Sequence, residues 1–166
     1  MLRYLGNGDV IWESKNGTRG AISLALMQSL CSWKQKDASS REAGGVVLGY
    51  IDIETNGLLA CEFSKPGAGD RRSRNGFFRG KRHQKEIDQW NKSSGGNGTL
   101  IGLWHTHPEK SPTPSSTDLN DCSNVLTKGC YSPDGLLYLI VGLEYIGVWF
   151  AARKKTLEKL GDIKIQ

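Results

Sequence analysis

The sequence predicts a single mixed α/β (α+β) domain, because helical and strand-like patterns alternate along it. Two apolar runs, at 44–53 and 58–63, meet across Glu54-Thr55-Asn56-Gly57. That reads as a β-hairpin, since Asn and Gly tolerate positive φ where a chain reverses. Segments 21–33 and 115–126 carry apolar stripes at helical spacing, and two further apolar runs, 136–143 and 145–152, complete the pattern.

Taken in order, Ile22, Leu26, Leu30 and Trp33 place one apolar face on a helix over 21–33. The hairpin follows. Residues 66–80 are Gly-rich, basic and without period, which predicts a long exposed loop, and such loops in compact domains are often functional. His83, Ile87 and Trp90 then share a stripe, predicting a helix over 82–91 in which His83 packs against the domain. Ser93-Ser94-Gly95-Gly96-Asn97-Gly98 ends that helix, and 99–106 alternates as a strand with Trp104 turned to the core. Leu119, Cys122 and Leu126 mark the next helix, two strands follow it, and 154–166 carries no readable motif.

At 166 residues, with 37% hydrophobic and 23% charged, the chain suits one globular domain spanning 1–166 and neither a disordered nor a fibrous protein. The four cysteines show no C-x-x-C pair, so buried reduced thiols are expected. The first twenty residues lack an apolar signal core and no apolar run reaches membrane length, so a cytoplasmic protein is expected. The net charge of +5 is unevenly spread. Residues 64–92 hold nine basic and three acidic side chains, and the remainder, with 13 and 14, is nearly neutral. The basicity therefore belongs to one segment, either a solvated loop or a surface for an acidic or anionic partner.

His105-Thr106-His107 lies at the end of a predicted strand. Residues i and i+2 of a strand share a face, so both imidazoles can reach one metal ion, although two histidines at a strand end also occur as plain surface residues. Asp118 falls in the first turn of the following helix, where a carboxylate can point back to the strand end. Two imidazoles and one carboxylate leave a zinc ion an open fourth position. Ser115-x-x-Asp118 equally fits a capping box, and the two roles are compatible, with Ser116 as an alternative cap. Glu42 precedes two glycines and an apolar strand. Exposure is the usual fate of such a Glu, but the glycine pair indicates that the backbone passes close to something.

Glu42, then His105-Thr106-His107-Pro108, six further residues, and Ser115-x-x-Asp118 together resemble the JAMM (MPN+) metalloprotease motif in all five functional positions. The resemblance covers nearly the whole chain and implies the JAB/MPN fold, a curved mixed β-sheet flanked by helices. It is greatest to the prokaryotic JAB deconjugating peptidases that accompany E1-like and E2-like proteins in CBASS anti-phage operons. It implies one zinc ion held by His105, His107 and Asp118, Glu42 as general base, and Ser115 as a donor to the developing oxyanion. The implied substrate is a protein with an extended C-terminal tail, either a ubiquitin-like protein or a conjugated cGAS-like nucleotidyltransferase, cut after its C-terminal residue. The basic segment stands where the family carries its first insertion, so Arg71, Arg72 and Arg74 are expected to contact the tail. With no histidine after His107, a second zinc site is not expected. A monomer without nucleic-acid or membrane partners is expected. The alternatives are a non-catalytic tail-binding module, another small zinc hydrolase, or nucleic-acid binding through 64–92, where Phe77 and Phe78 are the only aromatic residues of the basic loop.

Overall fold

A computed structural model describes residues 1–153 and 155–165 of the chain. Strands β1 (Leu2–Tyr4), β2 (Val10–Glu13) and β3 (Arg19–Ile22) precede helix α1 (Leu24–Cys31). Next come β4 (Gly44–Ile51), β5 (Leu58–Phe63), the short pair β6 (Arg71–Ser73) and β7 (Gly76–Phe78), helix α2 (Arg82–Ser93) and β8 (Gly98–Thr106). Helix α3 (Ser116–Lys128) and strands β9 (Gly135–Val141), β10 (Tyr145–Ala152) and β11 (Glu158–Lys164) finish the chain. Nine strands form one sheet in the order β1-β2-β3-β5-β4-β8-β9-β10-β11. It is mixed, with β3–β5 and β8–β9 parallel and the other neighbours antiparallel. The sheet curves until its edges approach, and Glu158 of β11 accepts a hydrogen bond from the Lys15 backbone N–H beyond β2.

Strand alternation sorts the core onto two faces. Leu137, Leu139 and Val141 of β9 join α1 on one side, with Trp104. Leu136, Tyr138 and Ile140 join α2 and α3 on the other. All seven residues of β9 are buried, as expected for a strand covered on both faces. A register shift between Val47 and Leu48 leaves Ile101 of β8 without a partner. This bulge sends Ile101 to the α1 side, so that Leu100 and Leu103 both face α3 and the parity carries His105 to the same face.

The hairpin of β4 and β5 forms as expected, with Asn56 alone taking the left-handed conformation, at φ 54°. Three expectations change. The first helix starts at Leu24, capped by the Ser23 hydroxyl; Ala21 and Ile22 instead belong to β3, where pairing with β2 and β5 overrides the apolar stripe. The supposed structureless loop contains the β6–β7 pair. Segment 154–166 contributes β11, apart from Lys154 and Gln166, which lie outside the described residues. Its alternation is hidden because Leu160 bulges between the Val148–Gly161 and Trp149–Lys159 pairs. Of the four cysteines, all free, Cys122 is buried and Cys130 exposed.

The close approach expected at the glycine pair is present. A methyl on Gly44 would lie 2.5 Å from the Phe77 ring, and one on Gly45 would collide with the Ser64 backbone oxygen and hydroxyl. Gly45→Ala is expected to cost about 1–3 kcal/mol, as over-packing does. Gly6→Ala, where an added methyl meets nothing, should stay within about 0.5 kcal/mol. Thermal or denaturant melts of the two variants check the difference.

Candidate metal centre and catalytic cleft

The C-terminal end of β8 lies between β4 and β9, with Gly44 opposite His105 and His105 opposite Ile140. The His105 ring packs beside Tyr138, and its Nε2 lies 3.0 Å from Nε2 of His107. Both imidazoles are buried and converge on one point, where the first turn of α3 delivers Asp118. Asp118 Oδ1 is 3.2 Å from His105 Nε2 and Oδ2 is 3.3 Å from His107 Nε2. One ligand atom from each of His105, His107 and Asp118 lies within 4.8 Å of the others, and this donor set of two imidazoles and a carboxylate suits a divalent cation such as zinc.

Ser115, in extended conformation, is the N-cap of α3. Its hydroxyl accepts from the Asp118 N–H and donates to Asp118 Oδ2 at 2.7 Å, while its own N–H donates to the same oxygen at 2.6 Å. The capping box and the metal triad are thus one arrangement, with Asp118 serving both and Ser116 not needed as cap. Burial opposes the charge on Asp118. Hydrogen bonds from both histidines, the charge of His105 and the Ser115 N–H outweigh it and hold the carboxyl far below its ordinary range. Burial lowers His105, with Asp118 opposing. At His107 burial also lowers, but the Asp118 bond and the charges of Asp118, Glu42 and Glu109 win, so its basicity is raised.

Glu42 is brought here from the segment before β4. Its carboxylate is buried, 3.8 Å from His107 Nε2. Burial, opposed by His107 and reinforced by Asp118, pushes its carboxyl up to about 7. The Thr106 N–H donates to the Ala43 carbonyl at 2.8 Å, and the Ala43 N–H donates to Thr106 Oγ1 at 2.9 Å. Thr106 in turn donates to buried Gln35, whose amide reaches the carbonyls of Ser40 and Arg74. Gln35 and Thr106 had no signal in the sequence, because an isolated buried polar residue has neither period nor motif.

A cleft of about 240 Å³ opens between β7 and the start of α3, lined by Phe77, Arg79, His105, Ser115, Asp118 and Tyr138. Arg79 bonds Asp121 of α3 at 2.6 Å to both oxygens and ties the two walls together. The three arginines expected at a substrate tail differ in their partners. Arg71 is exposed over the Phe78 ring, Arg72 bonds the carbonyls of Glu42 and Arg41, and Arg74 bonds that of Asp37. His83 packs as expected and also bridges Ser64 Oγ, at 2.6 Å, to Asp70, at 3.0 Å. Asp70 further accepts the N–H groups of Gly67 and Gly80, closing the neck of the insertion.

The chain matches the family described as prokaryotic homologs of the JAB domain over residues 25–155. Over 150 residues it is 34% identical to a Vibrio cholerae protein named CD-NTase/cGAS isopeptidase, covering 90% of this chain and 91% of that one. An Escherichia coli protein of the same name is 32% identical over 141 residues, 84% of this chain and 85% of its own. Among solved structures, a Desulfitobacterium hafniense protein determined in solution superimposes with a TM-score of 0.59 at 20% identity, covering 83% of this chain and 87% of that one. That likeness concerns the fold. Among the described residues no helix is long and apolar enough to cross a membrane.

Separating the cap from the metal seat is straightforward by substitution. Ser115→Ala should lose about 1 kcal/mol of stability, as N-cap removal does, and still take up metal. Asp118→Ala should lose the metal together with the carboxylate half of the capping box, while the Ser115 hydroxyl still accepts from the backbone N–H at 118. Melts of chelator-treated protein and metal analysis of reconstituted protein measure the two effects.

Proposed function

This chain belongs to the prokaryotic homologs of the JAB domain, and from that premise we propose that it is a zinc-dependent isopeptidase acting on conjugated nucleotidyltransferase. The enzyme is of the JAMM type. Its reaction adds water across the amide bond that follows the C-terminus of a cGAS-like nucleotidyltransferase, or of a ubiquitin-like protein, and frees the conjugated amine. The observation that carries this reading is the triangle of His105, His107 and Asp118 with the Glu42 carboxylate beside it. The relatives named CD-NTase/cGAS isopeptidase support the substrate. Reversal of E1/E2-type conjugation in CBASS anti-phage defence, by a cytoplasmic monomer built as one domain, is the setting this implies.

Zinc, held by His105, His107 and Asp118, would supply the Lewis acidity that makes water nucleophilic near neutral pH. Glu42 accepts the proton of the attacking water and returns it to the leaving nitrogen. The Ser115 hydroxyl, at the mouth of the cleft, exchanges its bond to Asp118 for one to the developing oxyanion. The tail lies in the cleft between β7 and α3, with Arg71 the member of the arginine trio whose head group is not held by a backbone carbonyl described above. Arg72, Arg74, Arg79 and Arg82 already bond oxygens of the chain itself, which favours a protein tail over a nucleic-acid backbone as partner.

Glu42→Gln should keep zinc and lower kcat at least about a hundredfold on a fusion whose scissile amide follows a nucleotidyltransferase C-terminus. Cleavage at the wild-type rate would remove Glu42 from the mechanism. The pH dependence has a definite sign. The base form of Glu42 is the active one, so kcat/KM falls as pH drops through its pKa, which burial raises to about 7 and a bound cation draws back down. A pH–rate profile of the zinc-loaded enzyme should show this acid limb, and a rate that rises on acidification would contradict it.

A further inference from the structure

Glu42 sits outside every regular element, in the segment between α1 and β4. A carboxylate used as a base must be held to a fraction of an ångström, and the β4–β8 pairing, which continues as far as Ala43 and Thr106, stops one residue short of Glu42. The Glu42 N–H donates to the Ser73 carbonyl of β6 at 2.7 Å, and the Glu42 carbonyl accepts from Arg72 Nε at 2.6 Å. Arg72 Nη2 reaches the Arg41 carbonyl as well. The backbone hydrogen bonds found at Glu42 therefore both come from one strand of the insertion. Arg72 is half-buried, between exposed Arg71 and Ser73, and pairs across the hairpin with Phe77, whose ring covers Gly44. The inward side of β6–β7 thus rests on Glu42 and Gly44, while its other end is pinned to α3 through Arg79 and Asp121.

We infer that Arg72 is a positioning residue for the catalytic base: its guanidinium fixes the Glu42 main chain and makes the aim of the carboxylate depend on the insertion hairpin. This rests on the role given to Glu42 above. Arg72 touches neither substrate nor metal; it acts through Glu42. The hairpin that borders the cleft is then part of the machinery that orients the base, and a tail seated along β7 stiffens the strand pair from which Glu42 hangs. Arg72 and Arg71, adjacent in sequence, have different work, because alternation turns one inward and the other outward.

Two independent readouts test this. In hydrogen–deuterium exchange on the metal-free chain, Arg72→Ala should speed exchange of the peptide containing Glu42. On the nucleotidyltransferase-tail fusion it should lower kcat about ten- to a hundredfold, with KM and zinc content unchanged, as misplacement of a base does. Arg72→Lys keeps the charge and one donor nitrogen and should recover part of kcat, whereas at a tail contact both the loss in Arg72→Ala and the recovery in Arg72→Lys would appear in KM. A raised KM at unchanged kcat would make Arg72 a tail contact and overturn the inference, as would unaltered exchange at Glu42. Should Arg72→Ala not fold, Arg72→Met keeps most of the aliphatic stem and removes the guanidinium's donors and charge. A wild-type enzyme that cleaves neither this fusion nor the matching ubiquitin-like fusion would refute the isopeptidase reading, and the exchange measurement would still decide whether Arg72 holds Glu42.

Discussion

The structure depends on the antiparallel pairing of β4 with β8. That ladder sets Gly44 opposite His105, so the residue two places before Gly44 comes level with the residue two places after His105. Glu42 and His107 meet for this reason, across 65 residues of sequence. The exchange of hydrogen bonds between Ala43 and Thr106 extends the pairing just past the ends of the strands, where the chemistry lies. Gly44 and Gly45 permit it, since side chains there would strike Phe77 and Ser64.

Electrostatically, the centre is a set of buried groups whose charges would be costly to bury singly. Asp118 is held ionised by two imidazoles and by the capped end of α3, so the helix start that fixes its position also satisfies its Oδ2. Glu42, without comparable donors, is pushed the other way by burial. Two carboxyl groups around His107 therefore differ in basicity because of their surroundings. One is suited to hold a cation and the other to take up a proton.

The basic insertion has a different character from its composition. A cluster of nine cations in 29 residues suggests a solvated or partner-seeking loop. In the fold much of that charge is turned to carbonyls and carboxylates of the same chain, at Glu42, Asp37, Asp121 and Glu86. Buried His83, Ser64 and Asp70 close its base through backbone N–H groups of Gly67, Gly80 and Val46. Up to Gly80 the segment is ordered mainly by hydrogen bonds, of which hydrophobic periodicity gives no sign, whereas α2 packs Ile87 and Trp90 on the core.

Local spacing determined a good deal of this protein. The hairpin around Asn56, the strand-end pair His105 and His107, and Ser115 with Asp118 at a helix start are all short-range geometries, and each appears where its pattern predicts. So do the central strands and the two helices on the α3 face. What short-range pattern could not convey is where pairing overrides it. Ile22 fits a helical stripe yet lies in β3, Leu160 bulges out of an alternation, and residues 71–78 have no period but form two strands. Gln35, Thr106 and Arg72 belong to the same class, because a polar side chain acquires its task from the carbonyl that the fold sets opposite it. The motif in the sequence picked out five candidate residues that the fold brings together, and only the tertiary structure decided what holds Glu42 in place, since that contact joins segments whose separation no local period encodes.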